Sequence, residues 1–480
     1  MEYGSSSFLT YMDYSDANKK GVIFVAKTEK RVIGIMDPNY YSFLASLEKL
    51  FKHLNPKVEY NGTVYELSTK RMKCRPYNTL GADTETCVIM NRGAHWNPHR
   101  NSFFSIVSRK VHVTYNMFSF KAIDKNAGYG QMYDLGLKIP PTWAIPQKDY
   151  SKMFEESKES KSNLQPDLIF EDHELFDLEQ IGNEVGYPAY LKPQAGGGWI
   201  GVTKVNDYKE LKEAYDKSED KPMNLQKAVD YKEFCRSVGI GPQIMPMHYN
   251  ATAEFSHDRY MRSPTQAIEF NFITPEQTKE VRQLTKLINA YYGWDHNSCE
   301  SLVTENGDIF IIDYINAYPD SSFVSLHFYF PEVVKAMVKW LIFCAVVGRG
   351  DGYDFMKNWP AYYKVMEDSK KKGWSYHETL DKYEVIADEY FDTARFEEFC
   401  QNNLEDFDER ALEFFSSDEF GQIIEGEVSR HFKIAEERPA KCQHYQGIHN
   451  FWIHCEADRL AAKKEPVAAA AGTSKKKSKK

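Results

Sequence analysis

Short apolar runs alternate with helical spacing over the first quarter of the chain. Residues 21–26, 32–36, 86–90 and 111–115 read as β-strands, and residues 41–53 repeat apolar positions at the three- and four-residue intervals of a helix. This alternation predicts an α/β layer domain over residues 1–115. Residues 116–146 read as a helix that stops at Leu135-Gly136, before Pro140-Pro141, and residues 151–163 as a solvated Ser/Lys/Glu insertion. Strands and helices return over residues 165–330. From 331 to 465 the spacing is mostly helical, and residues 466–480 form a low-complexity, Lys-rich tail expected to be disordered. The most apolar stretch, residues 333–347, lies between Pro331 and Gly348 and is interrupted by Lys335 and Lys339. It is too short and too charged to span a membrane, so a buried helix is expected.

Composition narrows the class. A chain of 480 residues accommodates two to four domains, here placed at 1–115, 116–330, 331–465 and the tail. With 31 Tyr and 30 Phe it can fill several cores. A net charge of −9 argues against a general nucleic-acid binder. The eight cysteines form no CxxC pair and read as reduced thiols of a cytoplasmic protein, and the polar start of the chain offers no secretory h-region. No membrane association is expected, and a homo-oligomer remains open.

Two segments carry the chemistry. Tyr190-Leu191-Lys192-Pro193 ends a strand and runs into Gly196, Gly197, Gly198 and Gly201. A lysine at a strand end followed by glycines suits phosphate, because backbone N–H groups can then approach the anion closely. Glu300 and Asp313 flank a turn at Glu305–Asp308, with Asn316 three residues on. Two acids on adjacent antiparallel strands suit magnesium, which takes hard oxygen ligands. Between these segments Gln226-Lys227-Ala228-Val229 ends a strand that could face an adenine edge, and Glu233 could accept from ribose hydroxyls. Arg259 and Arg262, beside His257 and Asp258, could hold a carboxylate or an acyl phosphate. Asn91-Arg92-Gly93 and His99-Arg100 follow an apolar strand, where a substrate could meet strand ends. Cys442, His444, His449, His454 and Cys455 lack the spacing of a closed zinc site and read as structural.

In order and spacing, residues from about 85 to 320 resemble the ATP-grasp superfamily of carboxylate–amine ligases. The resemblance implies an ATP-grasp fold, of α/β (α+β) class, with an N-terminal pre-grasp domain and a mostly helical C-terminal region. It makes Lys192 similar to the phosphate-binding lysine, and Gly196, Gly197 and Gly198 similar to the loop that closes over phosphates. Gln226, Ala228 and Val229 resemble the adenine hinge and Glu233 the ribose acid. Lys125, eleven residues before Gly136, resembles the first nucleotide lysine, with Lys121 as the competing candidate. Glu300, Asp313 and Asn316 resemble the magnesium set. Two departures stand out. Asp313 and Asn316 are separated by two residues where the family has one, so either a bulge re-aims Asn316 or it is no direct ligand. Where many ligases carry an arginine two residues before the first metal acid, this chain has Ser298.

The expected activity is ATP-dependent joining of a small-molecule carboxylate to an amine through an acyl phosphate, with ATP and magnesium (or manganese) and with Arg259 and Arg262 as catalytic candidates. A kinase of the same fold and a non-catalytic nucleotide-binding protein are the alternatives.

Overall fold

The computed structural model describes residues 27–38, 41–93, 97–116, 118–119, 124–159, 174–196, 199–253, 259–260, 271–316, 318–350 and 354–464. The strand expected at 21–26 and the tail at 466–480 lie outside them. The other expected strands are β1 (Lys27–Met36), β4 (Thr86–Asn91) and β5 (His112–Val113); β2 (Lys57–Tyr60) and β3 (Thr63–Arg71), which the sequence reading did not anticipate, complete a sheet in the order β2-β3-β1-β4-β5. Strands β3, β1, β4 and β5 are parallel, and β2 is antiparallel to β3. The β2–β3 hairpin closes on Asn61 and Gly62, at φ 51° and 73°. Two positive φ values in a two-residue loop suit the right-handed twist of the strands. Helix α1 (Ser42–Leu54) buries Phe43, Leu47, Leu50 and Leu54 on one side of the sheet. Helix α2 (Pro98–Val107) packs Phe104 and Val107 against Met36 and Ile89 on the other.

Helix α3 (Lys125–Asp134) leads into a second sheet of β6 (Thr142–Ile145), β7 (Ala189–Pro193), β8 (Thr203–Val205) and β9 (Met223–Lys227), all antiparallel in the order β6-β9-β7-β8. The insertion begins as an exposed helix, α4 (Ser151–Glu159). Helices α5 (Leu178–Val185) and α6 (Tyr208–Asp216) cover this sheet with Ile181, Val185 and Leu211. A third, antiparallel sheet follows: β10 (Glu233–Ile240), β11 (Gln243–His248), β12 (His296–Val303) and β13 (Ile309–Asp313), in the order β11-β10-β12-β13. Helix α7 (Pro275–Tyr292) backs it, setting Val281, Leu284 and Ile288 against Cys299, Val303 and Ile311. A Thr274/Gln277 capping box starts this helix, and Gly293 at φ 71° ends it.

The C-terminal region is helical: α8 (Phe323–Leu326), α9 (Phe330–Val347), α10 (Trp359–Lys372), α11 (Tyr376–Phe391), α12 (Thr393–Asn403), α13 (Phe407–Phe415), α14 (Asp418–His431) and α15 (Arg438–Lys464). Helix α9 is the expected buried helix and shares one apolar core with α1 and the first sheet. Lys335 is tolerated there because Glu456 and Asp408 hold its ammonium at 2.5 and 3.4 Å. His449 is buried in α15, where its ring nitrogen meets the Phe415 carbonyl and burial lowers its pKa to about 4. No described helix is long and apolar enough to cross a membrane.

Candidate nucleotide and metal site

Antiparallel register brings three charges into one row. Arg236 on β10 lies opposite Glu300 on β12, and Glu300 lies opposite Asp313 on β13. Directly paired residues share a face, so the guanidinium and both carboxylates project together. A bulge sets the last step. Ser301 pairs with Ile311 while Glu300 pairs with Asp313, leaving Ile312 as the extra residue that turns Asp313 to this face. Arg236 Nη1 stands 3.7 Å from Glu300, and Nη2 donates to Ser298 Oγ at 3.2 Å. Burial raises the Glu300 pKa, and Asp313 adds to the rise, while Arg236, Lys125 and Lys192 oppose it. The two neighbouring carboxylates are met by cations from either side, Arg236 at Glu300 and Lys125 at Asp313.

Helix α3 supplies the link to the second sheet. Asp124 caps it through the Ala127 N–H, and Lys125 and Tyr129, one turn apart, share a face. Lys125 Nζ sits 3.2 Å from Asp313. Tyr129 donates to the Ile312 carbonyl at 2.6 Å and accepts from Lys192 Nζ at 2.8 Å. The approach is close: a Cβ on Gly128 would stand 2.9 Å from Ile315 Cδ1 and 3.1 Å from Tyr314 Oη, so a larger residue would push these side chains aside. Lys192, near the end of β7, also donates to Gln226 Oε1 at 2.8 Å and to the Ile312 carbonyl at 3.3 Å. Burial lowers its pKa to about 8, with Lys125 pushing the same way against Asp313 and Glu300.

The sequence candidates therefore divide. Lys125, Lys192, Gln226, Glu300, Asp313 and Asn316 form one contact network. Gln226 enters it through Lys192 and Thr142, which take up its side chain. Asn316 joins at the other end. With its amide turned so that every group is satisfied, its oxygen accepts from Arg236 Nη2 and from Ser298 Oγ, both at 3.0 Å. Glu233 opens β10 and is held by His248 Nε2 at 3.0 Å. Ala228 donates its N–H to Pro188, and Gly196 has φ 122°. Val229 packs half-buried on the main core. Arg259 has a buried Nε without a hydrogen-bond partner among the described residues. Gly197, Gly198, Lys121, His257, Asp258 and Arg262 lie outside the described residues. Sequence reasoning missed Arg236 and Tyr129. The signal for Arg236 was a cation three residues after Glu233, readable once β10 is aligned against β12.

A lysine from one four-stranded antiparallel sheet thus meets an acidic row from another, bridged by one short helix. A D-alanine–D-alanine ligase of Streptomyces avermitilis is 30% identical to this chain over 187 residues, covering 34% of this chain and 46% of the relative. The Streptomyces coelicolor enzyme of that name is 29% identical over the same length. The fold is ATP-grasp. The chain spans about half the length of the curated relatives it matches. No protein-family profile matches it. Similar solved structures include the D-alanine–D-alanine ligase of Bacillus anthracis complexed with ATP (TM-score 0.40, 13% identity, 71% of this chain and 99% of that one). Another is a Chryseobacterium gregarium RiPP-associated ATP-grasp ligase with ADP and a leader and core peptide (TM-score 0.42, 11% identity, 66% and 98%). In this ATP-grasp chain, the Arg236–Ser298 contact puts a guanidinium beside the position where the sequence lacks an arginine.

The lysine pair yields a prediction. Lys192→Ala should weaken ATP binding ten- to a hundredfold, about 1.5–3 kcal/mol for a charge-assisted contact. Because the lysine is charged only below its pKa of about 8, ATP affinity should hold at neutral pH and decline as pH rises through 8. Lys192→Arg, whose charge does not titrate, should flatten that decline. Calorimetric titration across pH checks both, and an unchanged affinity in folded Lys192→Ala would remove Lys192 from the site.

Proposed function

We propose that this chain is an ATP-dependent ligase that joins a carboxylate to an amine, releasing ADP and phosphate. The convergence of Lys192, Lys125, Glu300, Asp313 and Arg236 carries the reading. In the first step a carboxylate oxygen of the acceptor attacks the γ-phosphorus of ATP and ADP leaves. In the second the amine nitrogen attacks the acyl carbon, phosphate leaves, and the nitrogen loses a proton to water. Neither step needs a protein nucleophile, so the site's work is positioning and charge neutralisation. Lys192 and Lys125 are assigned to ATP phosphates. Arg236 is assigned to the phosphoryl group in transfer, on the strand next to the serine that stands in place of the family arginine.

Glu300 and Asp313 fit magnesium, with hard carboxylate oxygens opposite each other on adjacent strands. Bound there, the ion would supply charge neutralisation between phosphates and carboxylates. Asn316 is assigned to hold Arg236, because its oxygen is already taken. Lys125 occupies Asp313 in this structure and must exchange that contact for phosphate as nucleotide and metal arrive. The curated relatives add support: joining D-alanine to D-alanine makes a bond of the proposed class.

A panel of amino acids and metabolite carboxylates, assayed for ADP release with magnesium, tests the proposal. Release should require a carboxylate, and hydroxylamine offered in place of the amine should trap a hydroxamate. ADP release with an alcohol and no amine would replace the ligase reading with a kinase.

A further inference from the structure

The first sheet carries a second basic constellation, on the α2 side. Residues 72–85, which leave β3, pass over α2. The Tyr77 ring lies 5.1 Å from Phe103 and 5.0 Å from His99, and the His99 ring nitrogen meets the Arg75 carbonyl at 2.9 Å. Between loop and helix lies a cavity of about 1090 Å³. Its floor is formed by the last residues of β3, Lys70 and Arg71, and by Asp83–Glu85, which lead into β4.

Charge in this cavity is unbalanced. Among its lining residues Lys70 pairs with Glu85, Arg71 pairs with Glu48, and Asp83 pairs with Lys110. These contacts use both acids of the lining. Lys73, Arg75 and Arg100 form no ion pair among the described residues, and Arg100 Nε is buried without a hydrogen-bond partner. Arg100 also stands in the first turn of α2, which contains no acidic residue. The positive end of a helix therefore adds to three cations without ion pairs among the described residues, of which Arg75 shares the field of Glu85 with Lys70. Phe103, Phe104 and Tyr77 give the same cavity an apolar wall.

We propose that this cavity binds a small organic anion with at least two negative charges, its charged end on Arg75 and Arg100 and its apolar part against Tyr77 and Phe103. The site is separate from the nucleotide site and does not depend on the ligase reading. Phosphate esters and polycarboxylates share the required chemistry.

Calorimetry with phenyl phosphate and with citrate tests the site and separates the two sources. Whichever class is native, at least one probe should bind. Its affinity should fall at least about tenfold in the Arg75→Gln/Arg100→Gln variant and should weaken with added salt. Lys192→Ala, which reports on the nucleotide site, should leave that affinity unchanged. Lys73→Gln, on the loop, should weaken it about threefold and guards against misfolding of the double variant. Tighter binding of phenyl phosphate would support a phosphate ester, and tighter binding of citrate a polycarboxylate. No binding of either probe at about 10 mM, or binding lost in Lys192→Ala but kept in the arginine variant, would overturn the proposal.

Discussion

Asp313→Asn should lower turnover on the order of 10³-fold while changing ATP affinity less than about threefold. Asparagine keeps the shape of the side chain and removes the charge that a magnesium ion and Lys125 both require. Asp313 ends β13, and its side chain is about one-third exposed (32%), so the fold should not suffer. Nucleotide binding should persist because Lys192, proposed to hold the phosphates, stands on the other sheet and is untouched by the change. The loss should appear in kcat, with the melting temperature and the ATP titration as controls. A variant that turns over at wild-type rate would mean that Asp313 faces no metal during reaction.

Arg236→Lys should cost about 10²–10³ in kcat with little change in ATP affinity. A lysine keeps the charge opposite Glu300 but cannot reach Ser298, Asn316 and the phosphoryl group at once. The charge-keeping variant matters. Arg236 is buried, and its removal would leave the Glu300 carboxylate buried without its partner, a loss of about 3–5 kcal/mol from stability. Arg236→Ala should therefore unfold at lower temperature, and only Arg236→Lys separates catalysis from folding. Full kcat in a folded Arg236→Lys would reduce Arg236 to a partner that holds Glu300.

What the sequence disclosed follows from how local each signal is. Lys192 at a strand end and the Glu300–Asp313 hairpin were legible because strand, turn and strand are contiguous. The buried helix α9 was legible from its apolar run despite Lys335, whose partner Glu456 lies 121 residues away and could not be inferred. Arg236 stayed hidden because its meaning depends on the register of β10 against β12, which no local pattern fixes. The two-residue offset of Asn316 left two readings, a bulge that re-aims it or no direct ligation; the bulge at Ile312 lies before Asp313 and turns that residue into the row, while the Asn316 oxygen engages Arg236 and Ser298. Gln226 was read as an adenine contact from its place in a strand end. That reading concerned its backbone; its side chain turns to Lys192, because Tyr190 pairs with Gln226 and sets it diagonally beside the lysine.

The most direct test follows oxygen through the reaction. An acceptor carboxylate labelled with oxygen-18, taken from whichever substrate supports ADP release, should lose one labelled oxygen to inorganic phosphate for each bond formed. That transfer requires the carboxylate to have carried the phosphoryl group. If the label stays entirely in the organic product while ATP is consumed, no acyl phosphate forms, and the assignment of this site to carboxylate activation is wrong.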